Sequence, residues 1–191
     1  AKLGYSYSFY AGDWDGQTTV NIEPDTSVVG SDDTVIEGIM TLPKLSKENI
    51  LHLGIGSMIN AHDVSVNFYT LDSKSQVSFL AFDFEYGYWW RFKSPFRFYT
   101  GCGFDFALLD FENGFLYNSG ESSKVAMTHK GLHAKLALGY FLKHLGFNLS
   151  STIRSYHAAN INIPENQDPI ELNSGLSLQV WENKLEVFLL W

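Results

Sequence analysis

The chain has 191 residues, enough for one domain, and its formal net charge of −8 argues against a nucleic-acid partner, because phosphate-binding surfaces need clustered Lys and Arg. Its one cysteine, Cys102, allows neither an internal disulfide nor a cysteine metal cluster. No apolar run approaches the roughly 20 residues of a membrane helix. Yet 16% of the residues are aromatic and only 18% are charged, which fits a β-barrel with an apolar exterior.

Apolar residues alternate with small or polar residues in eight segments of the chain. In order, these segments cover residues 1–10, 51–59, 64–68, 80–91, 96–108, 131–140, 147–154 and 172–180. A period of two predicts β-strands, and most of these segments are long enough to cross a bilayer when tilted. The pattern therefore predicts an all-β chain.

The connections between these segments differ in length in a regular way. Short ones lie at 60–62, 92–95 and 143–146, and longer ones at 11–49, 110–123 and 161–169. Outer-membrane barrels have short periplasmic turns on one rim and longer extracellular loops on the other. We therefore predict that residues 1–191 form one domain, an antiparallel transmembrane β-barrel of eight strands in a bacterial outer membrane.

Alternation alone does not say which face of each strand points outward. A soluble, lipocalin-like barrel would turn the apolar face inward. Three features favour lipid on the apolar side: the polar face is poor in Lys and Glu, it carries charges of both signs that could pair across a narrow lumen, and aromatic residues gather toward the strand ends. The charges on the polar face are those of Asp83, Glu85, Arg97, Asp105, Lys135 and Arg154.

Two segments fit an eight-strand count badly. Thr34–Leu42 could form a strand, but we assign it to a long first loop over 11–49. The tail Lys184–Trp191 also alternates, and its terminal aromatic looks like the export signal of outer-membrane barrels. Counting both segments as strands gives a ten-stranded barrel, which remains the alternative.

His157 is the residue of chemical interest. Alternation places it with Phe147, Leu149 and Ile153 on the lipid-facing side, near the outer rim. An imidazole there is costly without partners. Two interpretations stay open, an interfacial side chain wetted by lipid headgroups and a group that acts on a membrane lipid.

Three stretches carry a resemblance to a known family: QVSFLAFDFEYGYWWRF, SPFRFYTGCGFDFALLDF and RSYHAANINIPENQDPIELNSG. They resemble the lipid A 3-O-deacylase (PagL) family of eight-stranded outer-membrane hydrolases. The third stretch matches the family's ordered motif at His157, Ala159, Asn160, Pro164 and Glu171.

The resemblance implies a role for each motif residue and a substrate. His157 would be the general base, Glu171 would orient it and Asn160 would shape the oxyanion pocket. The substrate would be an acyl ester of lipid A in lipopolysaccharide, and no cofactor is needed.

Ala159 departs from the family, which has its nucleophilic Ser at this position. The change is an engineered substitution, a natural loss of hydrolysis, or a sign that another hydroxyl serves. Ser155 is the candidate for that other hydroxyl, since it lies on the same face two residues before His157. We expect little or no hydrolysis by the chain as it stands. The alternative function is a non-enzymatic outer-membrane barrel, an interaction partner or a subunit of a larger complex, suggested by the long loop and the tail.

Other titratable residues are given structural roles. Asp83 and Glu85 share the polar face and could form a carboxylate pair for glycoside chemistry, but we interpret them as part of a salt-bridge network in the lumen. No metal site is predicted, because the spacing of the other histidines suits no ligand set. They are His52, His62, His129, His133 and His144.

Overall fold

The computed structural model describes residues 2–12, 19–22, 38–42, 48–72, 77–91, 95–116, 122–162 and 170–189. These residues contain ten β-strands. The strands are β1 (Lys2–Gly12), β2 (Thr19–Ile22), β3 (Gly38–Thr41), β4 (Glu48–Ile59), β5 (His62–Asp72), β6 (Val77–Arg91), β7 (Phe96–Leu116), β8 (Ser122–Phe141), β9 (Leu145–Asn162) and β10 (Ile170–Leu189). A helix that could cross a membrane is not found in the described residues. The predicted all-β, antiparallel architecture is confirmed.

Eight of the described strands follow one another in a continuous series of antiparallel pairings. Following the antiparallel pairings gives the order β7, β6, β5, β4, β1, β10, β9, β8, and β8 pairs again with β7. Paired positions traced once around this ring from Phe106 return to β7 at Phe96, ten residues away. For eight strands that offset corresponds to a strand tilt of about 40°, as in small barrels.

The first long connection contains strands that we assigned to a loop. β2 pairs with β3, and β3 pairs with the far end of β7 through Ile39 and Met40. Gly38–Thr41, inside the stretch Thr34–Leu42, is thus a strand, and the assignment of all of 11–49 to a loop is wrong. The β2–β3 ribbon extends one side of β7 and is not a member of the ring.

The tail is not an additional strand. β10 runs without interruption from Ile170 to Leu189, pairs with β9 as far as Leu189 and pairs with β1 as far as Phe188. Lys184–Leu189 is therefore the turn-side end of the last strand. The interpretation of the tail as an extra strand, and with it the ten-stranded ring, is wrong for the described residues.

The burial pattern decides which face of the strands points outward. Large apolar side chains stand exposed on the outside of β4 to β10, and charged side chains are buried inside. This distribution contradicts the soluble, lipocalin-like alternative. Representative exposed residues are Leu53, Ile55, Phe68, Phe84, Phe104, Leu132, Leu136, Leu149, Ile153 and Leu185.

The interior changes character along the barrel axis. Near the short turns, Trp89, Tyr99, Phe141 and Phe188 form an aromatic cluster. The middle of the interior is occupied by the buried charged side chains, among them Asp83, Glu85 and Arg154. Toward the longer connections, a second apolar cluster fills the interior, with members that include Leu109, Met127, Tyr156, Ile161, Leu176 and Leu178.

This outer apolar cluster corrects the predicted orientation of residues 172–180. Leu176, Leu178 and Val180 are buried in the interior rather than facing lipid, while Ser177 and Gln179 point outward. The physical reason is that the polarity of the wall inverts toward the longer connections. There the interior is apolar, and outward positions are polar, as at Ser78, Asp110 and Thr128.

Candidate lipid-facing site

The structure places His157 on the outside of β9, on the same face as Phe147, Leu149 and Ile153. This agrees with the face expected from alternation. His157 lies twelve residues beyond Leu145, where β9 begins, or about 30 Å along the barrel axis at the observed tilt. Since the apolar band of such barrels is about 25 Å tall, the imidazole stands at its outer edge.

β9 is irregular immediately after His157. Ala159 and Asn160 are consecutive exposed residues, which interrupts the strict alternation of the strand. Between the pairs Lys130–His157 and Met127–Ile161, two residues of β8 face three of β9. The extra residue is a β-bulge, a feature that re-aims side chains and is frequent beside active sites.

β10 carries a larger irregularity on the other side of the same segment. Glu171 pairs with Asn160 and Leu176 pairs with Ala158, so four residues of β10 lie opposite Ala159 alone. Gly175 closes this excursion with a φ of 63°, a conformation that residues with a Cβ rarely adopt. Both neighbours of β9 thus change register at the position that the resemblance marks for the nucleophile.

The ring of His157 leans toward Gly175. Its Cε1 and Nε2 atoms occupy the space that a Cβ on Gly175 would need. The imidazole is therefore turned toward the bulged segment of β10, which begins after the pair of Glu171 with Asn160. The Glu171 side chain and Pro164 lie outside the described residues, so the proposed contact between Glu171 and His157 stays a prediction.

The other predicted site residues share the outer wall. Ala159, Asn160 and Ser155 are all exposed. Ser155 lies between Leu132 of β8 and Gln179 of β10, two residues closer to the short turns than His157. It stands on the side of His157 opposite to the direction in which the ring leans.

Three outward residues near His157 were missed from the sequence. Lys130 of β8 and Ser177 of β10 are its direct cross-strand neighbours, and Gln179 follows Ser177 on the same face. Ser177 and Gln179 were assigned to the lumen, because their apolar neighbours looked like a lipid-facing set. The signal that could have found Ser177 and Gln179 is unbroken alternation with Trp181 and Leu185, which face outward on the same strand. Lys130 likewise continues the outward set of Leu132 and Leu136 on β8.

Comparison with known proteins agrees with this architecture. No family model and no curated protein matches the sequence. The structure is similar to that of Neisserial surface protein A, with a TM-score of 0.56 and 12% identity over 97% of this chain and 92% of that one. The fold is that of an outer-membrane β-barrel.

Two further solved structures show weaker similarity. They are the outer membrane protein OprG from Pseudomonas aeruginosa, with a TM-score of 0.48, 15% identity and coverage of 98% and 94%, and the N-terminal β-barrel domain of Pseudomonas aeruginosa OprF, with a TM-score of 0.41, 11% identity and coverage of 97% and 96%. At these identities the similarity concerns the fold alone.

The charged interior forms the salt-bridge network that the sequence suggested. Arg154 reaches Asp83 at 2.9 Å, contacts Asp105 and lies 3.3 Å from Glu182. Lys135 bridges Glu85 at 3.2 Å and Glu186 at 3.3 Å. The carboxylates of Asp83 and Glu85 are thus held by cations, as expected of a network and not of a glycosidase pair.

One group in the network has the spacing of a metal site. Ligand atoms of Asp83, Glu85 and His133 lie within 4.8 Å of one another. The sequence did not suggest this set, because Asp83 and Glu85 are far from His133 in the chain. Arg154 and Lys135 already hold the two carboxylates, and His133 Nδ1 lies 2.8 Å from Asp105. We therefore assign the group to the salt-bridge network.

Proposed function

We propose that this chain is an eight-stranded barrel of a bacterial outer membrane whose outer wall carries a lipid A deacylase-like site. In this site His157 is the general base, Glu171 orients it and Asn160 lines the oxyanion pocket. Ala159 stands in the position of the nucleophile. Because alanine has no hydroxyl, the chain as it stands binds its lipid without cleaving the ester.

The observation that carries this proposal is the double register change around Ala159 and Asn160, beside an outward imidazole at the edge of the apolar band. A bulge at this point presents two consecutive residues to the lipid side, whereas a regular strand presents only every second residue to that side. His157 leans toward that segment. A base and an acyl ester of a lipid in the outer leaflet could meet there.

The test is to restore the hydroxyl. We expect Ala159→Ser to release fatty acid from lipopolysaccharide in detergent, while the parent chain gives only background. Adding His157→Ala to Ala159→Ser should lower the released rate by about 10²- to 10⁴-fold, the usual contribution of a general base. Ser155→Ala in the same background should leave the rate unchanged.

Membrane residence is tested separately. The chain should partition with detergent-extracted outer membrane and migrate faster in gel electrophoresis before heating than after it. If Ala159→Ser folds by this criterion but releases no fatty acid, the deacylase-like assignment is wrong. If the parent chain itself releases fatty acid and Ser155→Ala removes that activity, Ser155 rather than position 159 supplies the nucleophile.

A second candidate is a non-enzymatic barrel that binds another outer-membrane protein. The β2–β3 ribbon favours it, because β2 pairs only with β3 among the described strands, and an edge strand is the kind of element that pairs with another chain. Co-purification of a stoichiometric partner that is lost when residues 19–41 are replaced by a short linker would support this function over lipid hydrolysis.

A further inference from the structure

The outer wall changes polarity abruptly between β7 and β8. In the ladder that joins them, Phe106 pairs with Lys130 and Leu108 pairs with Thr128. On the β7 side the apolar surface continues to Phe82 of β6, whose ring stacks on Phe106 with centroids 5.1 Å apart. On the β8 side the paired row continues from Lys130 to His157 and Ser177.

The polar side of this boundary is rich in hydrogen-bond donors. Lys130, His157, Ser177 and Gln179 all point outward and offer an ammonium, an imidazole, a hydroxyl and an amide. The nearest outward carboxylate among the described side chains is Asp110, which pairs with Ala126, four residues along β8 from Lys130. The carboxylate of Glu171, which the proposed function places beside His157, comes from β10, on the side of β9 away from Lys130. The wall at this height therefore favours an anion near Lys130.

Lys130 differs from the cations of the interior. Lys135, Arg154 and Lys184 are buried, and each forms an ion pair with a carboxylate. Lys130 is exposed, and no ion pair joins it to another described residue. A lysine at the edge of the apolar band extends its ammonium to the level of the headgroups, where phosphate groups are available as partners.

We propose that the wall formed by Lys130, His157, Ser177 and Gln179 binds the phosphate-bearing headgroup of an anionic lipid, with Lys130 as the charged contact. The apolar surface of Phe82, Phe106 and Leu108 lies beside it to receive acyl chains. This deepens the proposed function, since it names the part of the lipid that is held beside His157. Binding itself needs no nucleophile at position 159.

The experiment measures lipid binding to the full chain in detergent, with Ala159 unchanged. The probes are dioctanoyl phosphatidic acid, dioctanoyl phosphatidylcholine and inorganic phosphate, and the readout is the dissociation constant from native mass spectrometry or calorimetry. We expect phosphatidic acid to bind best and Lys130→Gln to weaken its binding about five-fold, the effect of one lysine near an anionic lipid surface. Lys130→Arg should keep most of the affinity.

Lys143 provides the matched control, because it is exposed in the short turn between β8 and β9, at the opposite rim. Lys143→Gln should not change the affinity. Equal weakening by the two substitutions, or equal binding of the two lipids, would overturn the proposal. If inorganic phosphate binds as tightly as phosphatidic acid, the wall binds phosphate itself, and the claim that its ligand is a lipid headgroup is wrong. None of these results depends on hydrolysis, so failure of Ala159→Ser alone leaves this proposal standing.

Discussion

At the scale of single residues, Arg154 is the central cation of the salt-bridge network inside the barrel. Its guanidinium contacts the carboxylates of Asp83, Asp105 and Glu182 and lies over the ring of Tyr69 at 4.9 Å from the centroid. These side chains come from strands β6, β7, β10 and β5. One cation from β9 therefore joins four other strands across the lumen.

Removing this cation should be costly. Arg154→Met keeps much of the side-chain volume but leaves three buried carboxylates short of their shared partner. Breaking a buried ion pair from one side typically costs about 3–5 kcal/mol, and we expect the free energy of unfolding in lipid vesicles to fall by that amount. Denaturant titration followed by tryptophan fluorescence measures it.

The control is Lys143→Met, at an exposed turn position, for which we expect a change within about 0.5 kcal/mol. A loss of less than about 1 kcal/mol for Arg154→Met would mean that water or other side chains already satisfy these carboxylates.

At the scale of elements, β10 passes through two environments, a charged interior with an apolar exterior and an apolar interior with a polar exterior. In its turn-side half, Glu182, Lys184 and Glu186 point inward and Leu185 and Leu189 point outward. In its other half, Leu176 and Leu178 point inward and polar residues point outward. The side-chain period does not break between the halves, so the change of polarity reflects the surroundings and not a change of strand.

Cysteine labelling tests this orientation. In a Cys102→Ser background, which removes the exposed free cysteine, Ser177→Cys and Gln179→Cys should react with a water-soluble maleimide in the folded barrel. Leu178→Cys should react only after unfolding, because position 178 is 0% exposed. If Leu178→Cys is labelled faster than Ser177→Cys in the folded barrel, the orientation expected from the sequence is right and the one described here is wrong.

The same strand explains how far sequence reasoning reaches. Alternation identified the segments that form β1 and β4 to β10 and the outward face of His157, because one lipid face and one polar face repeat along most of these strands. It failed at 172–180, where the interior is apolar and the exterior is polar. The sequence alternates there as it does elsewhere, but the apolar residues face inward instead of toward lipid. The partner of each residue across the strands was also out of reach, since the bulges at 158–160 and 171–176 change the register without a strong local signal.

At the scale of the whole molecule, the polarity of the described side chains along the axis defines how the barrel would stand in a membrane. Apolar side chains cover the outside from the short turns to the level of Leu132, Ile153 and Trp181 on β8, β9 and β10. Beyond that level polar side chains face outward and apolar ones fill the interior. The inversion marks the outer edge of the hydrocarbon region, which is where the candidate site lies.

The same axial arrangement predicts a barrel without a pore. At the turn side, the rings of Trp89 and Tyr99 have centroids 4.8 Å apart, and those of Phe141 and Phe188 are 5.2 Å apart. The ion-paired layer follows, and the outer apolar cluster lies beyond it. An eight-stranded barrel is just wide enough for side chains to fill, and three successive layers of described side chains occupy this interior. We therefore expect hydrated ions to find no continuous path through it.

Planar-bilayer recording tests this prediction. We expect no single-channel steps from the purified chain, and the same silence from Trp89→Ala with Phe188→Ala, because that double substitution opens only the aromatic layer. The ion-paired layer and the outer cluster would still exclude hydrated ions. Steady conductance of the unmodified chain would show that the charged layer conducts, and the interior would then be a channel rather than a packed core that holds the outer wall in place.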